Sequence, residues 1–76
     1  ERAYEFIRNI VSRNKLNVKI AGSHAGIATG EDGKSAQAIE DIAAYRALPN
    51  MIVLQPCDAV ECEKMVFVLA DYKCPS

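Results

Sequence analysis

The chain has 76 residues, enough for one small domain at most, and a chain of this size buries only about 60% of the surface that its unfolded form exposes. Its nine Lys and Arg against ten Asp and Glu give a formal net charge of −1, and the scattered bases exclude the clustered positive surface that nucleic acid or an anionic membrane requires. With no apolar run near the ~20 residues of a membrane span, and no basic-then-apolar start, the sequence predicts a soluble, cytoplasmic protein.

Residues 2–13 carry Ala3, Phe6, Ile7, Ile10 and Val11 at the spacing of one apolar helix face, with Arg2, Glu5, Arg8 and Asn9 mostly opposite. The polar stretch Arg13-Asn-Lys-Leu-Asn17 ends that helix. Val18-Lys-Ile-Ala21 is β-prone and runs directly into Gly22, so it predicts a strand feeding a loop.

The loop Gly22–Gln37 holds all four glycines of the chain, its one histidine (His24) and the acidic pair Glu31-Asp32. Loops at the carboxyl ends of strands are where open α/β sheets bind ligands. Ser35 is the expected N-cap of a second helix over residues 36–47, with Ile39, Ile42 and Ala43 on one face and Pro49 setting its end. Met51-Ile-Val-Leu54 has the continuous apolar character of a buried parallel strand. Asp58 and Glu61 then form a capping-box-like start to a third helix, along which Cys62, Met65, Val66, Leu69 and Tyr72 recur at helical spacing.

Helix, strand, loop, helix, strand, helix is the order found inside a parallel α/β sheet with right-handed crossovers. The fold class expected is therefore α/β, with residues 1–76 forming one partial domain of a larger parallel sheet, because two strands cannot cover helices on both faces. Cys57, Cys62 and Cys74 match no zinc spacing and are expected as reduced, mostly buried thiols; a metal held by Cys57, Cys62 and His24 is the alternative.

Three chemical readings of the loop stand beside structural ones. Ala28-Thr-Gly-Glu-Asp-Gly-Lys-Ser35 is similar to a phosphate-binding loop, although Glu31 and Asp32 would set two negative charges beside the anion. His24 is a candidate proton carrier or anion donor, or a histidine simply bonded within its loop. Glu31 and Asp32 are candidates for binding hydroxyls or a cation, or acids that favour a helix start.

The succession Gly30-Glu-Asp-Gly33, Gln37, Ile39-Glu40, Arg46-Ala-Leu-Pro-Asn50, then a strand ending at Pro56 and Asp58-Ala, closely resembles the pyrimidine-binding domain of transketolases. It is most similar to the type split into two chains, as part of the C-terminal one. The related deoxyxylulose-phosphate synthases are similar too, though they typically lack the glutamate at Glu31. The resemblance implies a three-layer fold that binds thiamine diphosphate, a divalent metal (Mg²⁺), and transfer of a two-carbon ketol unit between sugar phosphates.

The resemblance further implies that His24 faces the substrate channel as a catalytic and substrate-binding residue, and that Asp32 reads a substrate hydroxyl. It places cofactor and metal mainly on parts of the protein outside this chain. The partners it implies are the remaining transketolase domains or an N-terminal subunit, in a homodimer or heterotetramer, and it implies that these residues alone are inactive. The family usually has a histidine just before Gln37, where this chain has Ala36, a methyl that can neither donate nor accept a proton. A non-catalytic α/β interaction domain on the same scaffold is the alternative that Ala36 raises.

Overall fold

A computed structural model describes residues 2–76; Glu1, the start of the expected domain, lies outside the described residues. The first helix opens as the α-turn α1 (Tyr4–Phe6) and continues as a π-helix over Ile7–Ser12, where Arg13 N–H bonds back to the Arg8 carbonyl. The helix expected over residues 2–13 is thus present with wider turns over Ile7–Ser12. Its end is closed by the Asn14 amide, which donates to the carbonyls of Asn9 and Ile10 at 3.2 and 2.8 Å. Those carbonyls lack partners within the helix, so a side-chain donor supplies them.

The same helix docks on the segment around residues 44–50. Tyr4 Oη donates to the Ala44 carbonyl at 2.9 Å and its ring meets Tyr45 edge-on, with centroids 5.7 Å apart. Ser12 Oγ donates to the Pro49 carbonyl, and Asn50 Nδ2 donates to the Ser12 carbonyl at 3.2 Å. Ile7 and Leu48, one on each of these segments, are buried.

The second helix is shorter and later than the sequence predicts. α2 spans Asp41–Arg46, whereas Lys34–Ala36 is a 3₁₀ turn and Gln37 is extended at φ −82° and ψ 132°. The cause is a contact at Ala38: its N–H and C=O are both taken by Gly26, at 3.2 and 2.7 Å. A residue whose two backbone groups are committed elsewhere cannot enter a helical ladder, so helix begins only beyond it. Ile39, expected on the covered face, lies outside the helix and is 80% exposed.

The two expected strands form no ladder. Among the described residues, Val18–Ala21 and Met51–Leu54 exchange no backbone bonds with each other, because residues 75 and 76 lie between them. Ser76 N–H donates to the Val18 carbonyl at 3.1 Å and its carbonyl accepts from Ile20 at 2.6 Å, while Ile52 N–H donates to the Pro75 carbonyl at 3.0 Å. One residue bonded to both neighbours of its opposite number is the pattern of parallel pairing. Met51, Ile52 and Val53 are half-buried and Leu54 is exposed, not the fully covered strand expected.

α3 (Ala59–Asp71) starts where the sequence places it. Asp58 Oδ1 accepts from the Glu61 amide at 2.8 Å, and Glu61 Oε2 reaches back to the Cys57 amide at 2.6 Å. The reciprocal acid pair is the expected one, shifted one residue outward on the return arm. Among the apolar positions of α3, Met65 and Leu69 are partly covered, whereas Val66 and Tyr72, expected on the same face, are exposed.

Candidate functional site

The loop from Gly22 to Gln37 is pinched at its base by the reciprocal Gly26–Ala38 bonds. Within it, Gly26, Gly30 and Gly33 all take positive φ, at 77°, 55° and 75°. Positive φ comes without a Cβ clash at glycine, which is why the chain can double back here in short turns. Thr29 precedes the 3₁₀ turn Gly30–Asp32, and Gly33 separates it from the turn Lys34–Ala36.

His24 sits on the approach to the pinch and Asp32 within the closed loop. Both are exposed, and among the described residues no hydrogen bond or ion pair joins them. His24 holds a left-handed backbone at φ 57°, and its Nδ1 lies 3.0 Å from Ser23 Oγ. Gln37 Nε2 donates to the Ile27 carbonyl at 3.4 Å, so it braces the loop from inside. Ala36, where the sequence departs from the transketolase pattern, is exposed at the end of its turn.

A cleft of about 300 Å³ opens beside the pinch. Ser23 and Ala25, which flank His24, line it together with Asp41, Tyr45, Gln55 and Ser76. Apolar walls with a few polar groups suit a small polar ligand. Asp41 and Tyr45 were not legible as site residues in the sequence, because they reach the cleft only once α2 starts at residue 41.

The phosphate-loop alternative does not survive this geometry. A phosphate-binding loop presents the free amides of a helix start, and here the chain after Ser35 turns extended before α2 begins at Asp41. The metal alternative fares no better: among the described residues no group of three or more His, Cys, Asp or Glu comes together to hold an ion. Cys57 and Cys62 are exposed and Cys74 is half-buried, contrary to the expected burial of the thiols. Cys57 lies in the capping turn of α3 and Cys62 on an uncovered position of that helix.

The fold displaces the protonation of two groups at that cap. The hydrogen bond to Glu61 holds the Cys57 thiol above its ordinary range, and the same contact holds the Glu61 carboxyl below its own. A carboxylate acceptor favours S–H over thiolate, so this thiol is not an activated nucleophile.

Comparison with known proteins gives consistent results over nearly the whole chain. The family model "Transketolase, pyrimidine binding domain" matches residues 1–75. A putative transketolase C-terminal section of Methanocaldococcus jannaschii is 53% identical over 74 residues, covering 97% of this chain and 23% of its relative. The human transketolase-like protein 2 is 39% identical over 72 residues, covering 95% of this chain and 11% of that protein. A solved structure described as a split-gene transketolase, an inactive beta4 tetramer, matches with a TM-score of 0.84 at 49% identity, covering 97% of this chain and 22% of that one. The chain thus spans less than a quarter of the length of each of these relatives.

Proposed function

The chain belongs to the transketolase family through its pyrimidine-binding domain, and from that premise we propose that it works as part of a larger transketolase, moving a two-carbon ketol unit between sugar phosphates. The observation that supports this reading is the pinched loop, which carries His24 and Asp32 exposed at separate places, with Ser23 and Ala25 on either side of His24 lining a cleft of about 300 Å³. In the proposed roles His24 donates to a substrate oxygen and Asp32 accepts from a substrate hydroxyl. An imidazole N–H and a carboxylate are suited to those tasks.

The family implies the use of thiamine diphosphate, which supplies the carbanion chemistry when bound. The residues described here do not fit its diphosphate and metal end. They gather no metal-ligand cluster, and Glu31 and Asp32 would repel an anion at the loop. We therefore place that end of the cofactor, and Mg²⁺, on other parts of the assembly. Residues 1–76 act as one part of a domain, completed by the remaining transketolase domains or a second subunit in a dimer or tetramer, in the cytoplasm. By themselves they are inactive.

Ala36 supports a second reading, a non-catalytic domain that has kept the scaffold. Its exposure leaves room for a larger side chain, so the two readings separate cleanly. In the full-length protein assembled with its partner chain, His24→Ala and Asp32→Asn are each expected to lower kcat/KM for ketol transfer about ten- to hundredfold, the worth of one charged hydrogen bond. Ala36→His is expected to raise it. Absence of transfer in the parent and in Ala36→His alike would leave the non-catalytic reading standing.

A further inference from the structure

We infer that Ser23 is a positioning residue for the His24 imidazole, fixing which ring nitrogen is offered to substrate. The inference rests on the proposed role of His24 and adds a residue that the family match does not assign. Two observations on the page carry it. Ser23 Oγ lies 3.0 Å from His24 Nδ1, and His24 holds a left-handed backbone at φ 57°.

A side chain bonded to its immediate neighbour needs the backbone between them to fold back. Left-handed backbone is uncommon for a residue with a side chain, and histidine takes it more readily than most. The conformation is fixed from the next residues on, since Ala25 and Gly26 are bridged to Ala38. Backbone and hydroxyl together therefore set the ring.

The chemistry of the pair then determines what the ring presents. A serine hydroxyl both donates and accepts, so it satisfies Nδ1 in either charge state of the imidazole. It donates to Nδ1 of the neutral ring and accepts from Nδ1–H of the protonated one. In both states Nε2–H is the donor left for substrate, and the proton that distinguishes the two states sits at Nδ1, beside the Ser23 hydroxyl. Ser23 and Ala25, on either side of His24, line the cleft. Without the hydroxyl, the ring rotates and the neutral imidazole divides between its two tautomers.

The test uses the full-length enzyme assembled with its partner chain, labelled with ¹⁵N-histidine, with His24→Ala to identify the His24 resonances. Ser23→Ala is expected to lower kcat at least about fivefold with a smaller change in KM, the effect of one hydrogen bond of ordinary strength. It is also expected to move the Nδ1 resonance toward that of a mixture of tautomers. Ser23→Thr keeps the hydroxyl and is expected to restore both readouts to within about twofold of the parent. An unchanged Nδ1 resonance in Ser23→Ala overturns the inference. A moved resonance with activity unchanged in both Ser23→Ala and His24→Ala upholds Ser23 as the holder of the ring and overturns His24 as a substrate contact.

Discussion

Cys57 and Glu61 share one contact whose two ends titrate in opposite senses. The Glu61 carboxyl sits below its ordinary range in the folded chain, so its contribution to stability is present above the unfolded carboxylate range and is lost as pH falls through the folded value. The Cys57 thiol sits above its ordinary range, so its contribution is present below the unfolded thiol range and is lost as pH rises through the folded value. The cap of α3 is therefore expected to be firmest between those ranges. Helicity measured against pH in the parent and in Glu61→Gln checks this: the variant should lose the acid-side dependence, and its Cys57 should alkylate faster at mildly basic pH. Equal alkylation rates would show that the contact does not persist in solution. At this scale the sequence was legible where chemistry is local. His24 and Asp32 stood out by residue type, whereas the Ser23–His24 contact depends on a φ of 57° that no neighbouring residue announces.

Among the elements, α3 was the most legible, because its start is written within a few residues: Asp58 and Glu61 satisfy the free amides from either side. The second helix was the least legible. Residues 36–47 are good helix formers, but the Gly26–Ala38 closure removes the groups a helix would use, and a contact between segments outweighs propensities of a few tenths of a kcal/mol per residue. The far end of α3 depends on a similar contact. Lys19 Nζ donates to the carbonyls of Tyr72 and Cys74 and to Asn17 Oδ1, the last at 2.6 Å, and so caps from a distant segment. Lys19→Met keeps the stem and removes the donors. It is expected to cost about 1 kcal/mol, and to speed amide exchange at Cys74 and Ser76 more than in the middle of α3. Uniform acceleration across both would mean that Lys19 holds the molecule generally and not this turn.

The molecule as a whole is thinly covered. Ile7, Leu48 and Pro75 are its buried apolar side chains among the described residues, while Phe6, Ile27 and Phe67 are each at least 67% exposed. Exposed apolar area on this scale marks surfaces that meet other protein. Residues 1–76 expressed by themselves are therefore expected to bind a hydrophobic dye and melt broadly, and the full-length relative to do neither. A sharp melt without dye binding would show that the short chain is self-sufficient. The family was legible because its motifs recur in order along the chain. The sheet was not, since hydropathy marks which segments are extended and leaves open which of them become neighbours.

That neighbour relation has a consequence in time. Lys19 and Cys74 are 55 residues apart, and the bonds that seat residue 76 beside residues 18–20 span a similar distance. Helical turns form in about a microsecond from local contacts, whereas a closure this long first has to overcome the entropy of the intervening loop. On a ribosome adding about 5–20 residues per second, the segment leading to His24 emerges several seconds before the residues that clasp it. The strand segment before the candidate imidazole is thus synthesised well before the residues that hold it in register.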